Sequence, residues 1–223
     1  ASHAHMDIGA FVMDADGVRW ADDLGMQDYH SIESQGINLW GKGQDADRWK
    51  IFRLGTSAHS VLMVDGQQQR YDGQAPIVLA KSGRTVVNMD GVYQGQLGRA
   101  RRGVALQEDH SVVVQDEVSA LGQAANVRWA MVTRAEVKTD GAGHAVLTQG
   151  GKTLGFRVLE PAGAVVKIYP TDPPPAATDA PNPGTRMVGF EVAMGVRATQ
   201  RIVVQLVPRD EQRSAPTVRA LAE

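Results

Sequence analysis

The stretch VRWAMVTRAEVKTDGAGHAVLT, residues 127–148, decides the fold. Val127 to Thr133 is a short apolar run rich in β-branched and aromatic residues, of strand length rather than helix length. Asp140-Gly141 then supplies the positive φ that a tight reversal needs. Ala145 to Thr148 opens the next run. Strand, turn and strand in that order predict a hairpin.

The same pattern recurs on both sides. Upstream, runs of strand character cover Ile8 to Met13, Val18 to Leu24, Ser60 to Val64, Ile77 to Ala80, Thr85 to Met89, Val104 to Leu106 and Ser111 to Val114. Downstream they cover Leu154 to Leu159, Ala164 to Tyr169, Met187 to Met194 and Arg201 to Val207. Asp16-Gly17, Asp65-Gly66 and Asp90-Gly91 also sit between apolar runs and predict hairpin turns. No segment carries a helical stripe of 12 or more residues, which argues against crossover helices and a parallel sheet. The expected fold is all-β: a large antiparallel β-sandwich of super-sandwich type, filling residues 1–223 as one domain. Residues 170–186 hold Pro170, Pro173, Pro174, Pro175, Pro181 and Pro183 and predict a loop, since proline cannot continue a sheet. Residues 209–223 predict a charged peripheral tail.

Composition removes several functions. With 23 basic and 25 acidic residues the net charge is −2, without the basic excess that wholesale nucleic-acid binding needs. Cysteine is absent, so disulfides, thiolate metal sites and cysteine nucleophiles are excluded. No apolar run reaches membrane-spanning length. The opening residues contain neither an initiator Met nor a signal-type stretch, and the expectation is a fragment of a longer polypeptide.

Histidine spacing carries the chemistry. His3, His5 and Asp7 alternate, and in a strand such residues project from one face, roughly 6–7 Å apart. One imidazole then binds a metal while its neighbour meets a substrate. His59 precedes the Val61–Val64 run, and Asp22 and Asp23 follow Trp20. Two histidines and a carboxylate drawn from three strands suit a zinc ion with an open fourth position. Asp7 is a candidate acceptor for the other ring nitrogen of a ligand. Register leaves Asp22 against Asp23 open. A strict two-residue turn at Asp16-Gly17 puts Asp22 on the His5 face, whereas a bulge or a longer loop puts Asp23 there.

The order His3-x-His5-x-Asp7, then Gly17-x-x-Trp20-x-x-Asp23-Leu24-Gly25, then Thr56-x-x-His59-Ser60 leading into Val64-Asp65-Gly66, resembles the carboxy-terminal β-sandwich region of the heparinase II/III-like polysaccharide lyases. Arg101-Arg102-Gly103-Val104 and Ser111 to Glu117 are also similar to that family. The resemblance implies zinc, in a structural role, with His5, Asp23 and His59 as ligands, and His3 facing the substrate as the catalytic candidate. It implies an acidic polysaccharide substrate, an amino-terminal α/α toroid as partner, little or no activity for this chain alone, and bacterial export to the periplasm or beyond.

Such lyases break a glycosidic bond by β-elimination beside a uronate. The carboxylate is neutralised, a base takes the adjacent proton, and an acid protonates the leaving oxygen. Tyr29 and Arg53 are the substrate-binding candidates. Arg48, Arg53, Arg99, Arg101 and Arg102 are candidates for a basic surface, with Arg99 to Arg102 reading first as solvated charge. Trp40 and Trp49 flank the polar loop Lys42 to Asp47, which either borders the cleft or covers a satellite apolar cluster. The competing reading is a non-catalytic carbohydrate-binding or structural sandwich. A cupin-type metal enzyme also uses a His-x-His pair, but the Glu and the Pro-x-Gly-x-x-His element it needs do not follow Asp7.

Overall fold

Strands dominate the structure, a computed structural model that describes residues 3–213 and 215–221. The extreme ends of the expected 1–223 domain, and Ser214 of the tail, lie outside the described residues. In chain order the strands are β1 (Met13–Ala15), β2 (Val18–Ala21), β3 (Leu62–Val64), β4 (Ile77–Lys81), β5 (Arg84–Asn88), β6 (Leu97–Leu106) and β7 (Val112–Ala120). They continue as β8 (Ala125–Thr133), β9 (Glu136–Thr139), β10 (His144–Gln149), β11 (Lys152–Glu160), β12 (Lys167–Pro170), β13 (Arg186–Met194) and β14 (Thr199–Pro208). A short helix, α1 (Tyr29–Glu33), and three 3-10 turns between Asp47 and Ala58 interrupt them.

One sheet has the order β4-β5-β6-β7-β14-β11-β10-β9, a second has the order β12-β13-β8-β3, and β1-β2 is a separate hairpin. The pairings are antiparallel. The all-β antiparallel sandwich expected from the sequence is the fold found.

Strand β8 shows why Trp129 to Val132 reads as an unbroken apolar run. Alternate residues of a strand point to opposite faces. Val127, Trp129 and Met131 enter the core between the sheets. There Trp129 stacks on Phe190 of β13, centroids 6.0 Å apart, and meets Phe156 of β11 edge-on at 5.6 Å. Ala130 and Val132 face the other way and are buried with Leu24, Phe52, Ala58 and Met187. The chain between β2 and β3 is therefore a third layer laid over the small sheet, and the candidate site is built in that layer.

Turn chemistry matches the expectation at two positions. Asp16 and Gly17 (φ 53° and 75°) and Asp65 and Gly66 (φ 49° and 71°) both occupy the left-handed region, as a type I′ turn requires. Asp140-Gly141 lies in a longer link between β9 and β10, and this corrects the expected hairpin: Ala145–Thr148 pairs with β9, whereas Val127–Thr133 belongs to β8 in the other sheet. Asp90-Gly91 lies in a longer link between the antiparallel neighbours β5 and β6 and not in a tight turn; Asp90 Oδ1 accepts the Ala100 N–H at 2.7 Å. The expected strand Ile8 to Met13 is also corrected, since only Met13 is in a strand. Gly9 breaks it with φ 90°, and a Cβ there would lie 2.6 Å from Met89 Sδ.

The segment linking β12 to β13 folds back on the third layer, where Asp179 Oδ1 accepts the Phe52 N–H at 2.8 Å. The tail returns to the large sheet. Leu221 is buried against Gly103, its N–H donates to Glu117 at 2.7 Å, and Gln115 donates to the Arg219 carbonyl at 2.8 Å.

Candidate metal centre and substrate face

Residues 3–9 are not a strand. With no ladder to pair its backbone groups, this segment is held by partners from elsewhere in the fold. The Ala4 carbonyl accepts from Arg48 at 2.9 Å. The Met6 N–H donates to the Leu54 carbonyl at 2.9 Å. Gln69 grips Ile8 at both ends, its Oε1 accepting the N–H at 3.0 Å and its Nε2 donating to the carbonyl at 2.9 Å. Arg102 donates to the Gly9 carbonyl at 2.8 Å. Four anchors fix the direction of the intervening side chains.

Those side chains converge on His59, which follows the 3-10 turn Thr56–Ala58 and is fully buried. The His5 and His59 rings lie 5.3 Å apart. Metal-ligating atoms of His5, Asp7 and His59 lie within 4.8 Å of one another. Asp23 Oδ2 is 2.8 Å from His59 Nδ1. Asp22 points elsewhere, to Arg134 at 2.7 Å. The β1–β2 hairpin contains the register shift on which the choice depended: Asp14 opposes Arg19, but Met13 opposes Ala21.

Two observations make this a fit for a metal. The fully buried His59 presents Nδ1 to the Asp23 carboxylate at 2.8 Å with the His5 ring beside it, so a nitrogen lone pair and an anionic oxygen face one another at a distance that a shared cation spans. The donors are two imidazoles with carboxylates, the set borderline metals such as zinc accept. Electrostatics agree. The His59 hydrogen bond holds the Asp23 carboxyl below its usual range against the opposing effect of burial. Burial, then the nearby His59, lowers the His5 pKa and favours the neutral imidazole, the form that ligates.

His3 belongs to a separate, exposed group. Its Nδ1 lies 3.0 Å from the Tyr29 hydroxyl. Its ring is stacked near Tyr29 at 6.2 Å and meets Trp40 edge-on at 5.4 Å. Thus His-x-His separates a half-buried imidazole from an exposed one, by irregular chain rather than by strand alternation.

Arg53 is engaged by protein acceptors. Its Nε donates to Asn182 at 2.8 Å, and its two terminal nitrogens to the Met26 and Pro181 carbonyls at 2.9 Å each, tying the proline-rich loop to the third layer. The expected solvated charge at Arg101 and Arg102 is corrected, because both are buried. Arg102 makes a two-pronged contact to Asp116 at 2.8 and 3.0 Å, and Trp129 Nε1 donates to the same carboxylate at 3.0 Å. A satellite cluster of Ile32, Leu39, Ile51 and Leu54 lies in the third layer, and Trp40 stays outside it.

Sequence reading missed the supports Arg48, Gln69 and Arg102. An Arg-Arg pair opposite Asp116-Glu117 in adjacent strands was the available signal for Arg102 alone.

The chain matches the family described as Heparinase II/III-like, C-terminal, over residues 1–219, and it belongs to that family. Among solved structures it is similar to the heparan sulfate lyase HepC from Pedobacter heparinus, at 17% identity and a TM-score of 0.68, covering 95% of this chain and 32% of that one. It is also similar to heparinase III, at 16% identity and a TM-score of 0.67, covering 93% of this chain and 30% of that one. At these identities the likeness is one of fold, and the chain spans about a third of the length of those proteins. No curated protein matches it. Among the described residues, no helix is long and apolar enough to cross a membrane.

Proposed function

We propose that this chain is the β-sandwich part of a polysaccharide lyase acting on uronate-containing chains, with His3 at the reacting sugar. The observation that carries it is the pairing of His3 Nδ1 with the Tyr29 hydroxyl at 3.0 Å on an exposed face beside the cluster of His5 and the buried His59. Elimination needs groups that exchange a proton near neutral pH. An imidazole hydrogen-bonded to a phenol is such a pair: Tyr29 engages one ring nitrogen and leaves Nε2 for the sugar. Protonated, the same ring offsets charge developing on the uronate carboxylate. Trp40 packs against both rings and limits their rotamers. Arg53 acts on substrate through the loop it holds, since its nitrogens engage protein acceptors.

In this reading His5, Asp23 and His59 hold zinc, with Asp7 orienting His5. The ion cross-links the segments before β1, after β2 and before β3, and so fixes the backbone that carries His3. The remaining groups come from an amino-terminal α/α toroid, without which the sandwich is inactive, and the protein is exported to the periplasm or beyond.

The test is product analysis on the protein carrying its amino-terminal domain. Release of unsaturated uronate, followed by its ultraviolet absorbance, is expected, with a loss on the order of 10²–10⁴-fold in His3→Ala. Glycan binding without unsaturated product would establish a non-catalytic carbohydrate-binding sandwich instead.

A further inference from the structure

Trp40 also lines a cleft of about 410 Å³, together with Lys42, Arg48, Trp49, Tyr71 and the backbone at the intervening glycines. Trp40 and Tyr71 are 44% and 46% exposed. Two large aromatic rings left this open forgo burial that would stabilise the fold, so a ligand-facing role has to be weighed.

The walls are built rather than loose. Trp49 Nε1 donates to the Gly43 carbonyl at 2.9 Å. Gln44 Nε2 donates to the Gln69 carbonyl at 2.8 Å, while its Oε1 accepts the Tyr71 N–H at 3.1 Å. Gln69 is the residue that grips Ile8, so the far wall and the histidine segment share one anchor. Arg48 lies 4.6 Å over the Trp49 ring and donates to the Ala4 carbonyl, between the two histidines. Trp40 Nε1 is held by Glu33 at 2.7 Å.

We propose that this cleft is a subsite for a pyranose ring bearing an anionic substituent, next along the chain from the ring held at His3. The apolar C–H face of a pyranose packs on an aromatic ring, and its anionic group meets cations at the rim and floor. Trp40 belongs to both, lining the cleft and lying 5.4 Å from the His3 ring and 5.5 Å from the Tyr29 ring, so the cleft adjoins the proposed site. Arg48 couples the subsite to the site proper, because the guanidinium beneath the sugar also holds the Ala4 carbonyl. This rests on the lyase reading for the class of ligand, but not for the existence of the cleft.

The experiment is a fluorescence titration of the protein with three probes: a heparan sulfate hexasaccharide, the same hexasaccharide desulfated, and neutral maltohexaose. Tyr71→Ala and Lys42→Ala change exposed side chains, and unchanged thermal unfolding confirms their fold. The charged hexasaccharide is expected to bind and the neutral one not. Tyr71→Ala weakens binding about tenfold, and Lys42→Ala weakens it less, by a factor that shrinks as salt rises. Retained affinity for the desulfated probe identifies carboxylate as the recognised group, and lost affinity identifies sulfate; both keep the subsite. Failure of the unmodified protein to bind, equal binding of maltohexaose, or unaltered affinity in both variants overturns it. Unaltered affinity alongside release of unsaturated product removes the subsite and leaves the lyase reading standing. Weakened affinity without such product does the reverse.

Discussion

His59 is the residue on which the site turns. Its ring is fully buried, Asp23 lies against Nδ1, and Nε2 has no partner among the described residues. A buried imidazole whose Nδ1 faces a carboxylate 2.8 Å away, with a second imidazole beside it, is a donor set that zinc satisfies. Protein purified without added metal or a polyhistidine tag is therefore expected to carry about one zinc per chain by elemental mass spectrometry. His59→Ala should lose it. Asp23→Asn should lose it too, whereas Asp7→Asn should keep the ion with affinity lowered about 10–100-fold, as for an orienting partner. Metal retained in Asp23→Asn and lost in Asp7→Asn would exchange the two carboxylates. The histidines were legible in the sequence because their spacing is a local property. The choice between Asp22 and Asp23 was only half legible, because it hangs on one shift of register between Met13 and Asp14.

A second residue gives a prediction in pH. Tyr93 is buried, donates to the Leu62 carbonyl at 2.8 Å, and has its pKa pushed up to about 12, chiefly by burial. A raised folded-state pKa means that its contribution is fully present below the unfolded value of about 10. That contribution is lost as pH rises from there through about 12. Thermal unfolding of Tyr93→Phe should thus decline less steeply than wild type above pH ~10. Parallel declines in the two proteins would show that Tyr93 ionises equally in both states.

At the scale of elements, the lesson is in residues 3–9. Alternating His, His and Asp read as a strand, and the strand would have oriented them by pleat alone. The structure orients them through Arg48, Leu54, Gln69 and Arg102, which lie far along the chain. No local pattern encodes such anchors. Strand β8 was legible because burial on both faces leaves the continuous apolar run Trp129 to Val132. The length of β6 and β7 was not, because Arg102 and Asp116 place charges in mid-strand where only their pairing permits burial. That pair also joins the two halves of the site: Arg102 holds the carbonyls of Gly9 and Ser60, each at 2.8 Å, one beyond the His5 segment and the other next to His59. Asp116→Asn leaves the guanidinium buried without its counter-charge, which costs about 3–5 kcal/mol. For a domain of this size that is a fall in Tm of roughly 10 °C, and zinc affinity should fall with it because both ligand segments loosen. A Tm within about 2 °C of wild type would mean that the network is no clamp.

At the scale of the whole molecule, the question is what a sandwich spanning about a third of its structural neighbours can do alone. It has a core of its own between the sheets, where Trp129 meets both Phe156 and Phe190, as a domain requires. Its net charge of −2 gives no long-range attraction for an acidic polymer, which leaves local cations such as Lys42 and Arg48 to hold one. The His3–Tyr29 pair is exposed on this side, and an exposed pair lacks the water-excluded setting in which electrostatic stabilisation becomes large. The expected behaviour of the 223-residue chain is therefore cooperative thermal unfolding with a Tm lowered by a chelator, since an ion bound only by the folded state stabilises it. With heparan sulfate it should release no unsaturated product by itself, and release should begin when an amino-terminal helical domain is joined in the same polypeptide. Cleavage by the sandwich alone, abolished by His3→Ala, would mean that this chain already holds the full acid–base set, and the role assigned to the toroid would shrink to substrate binding.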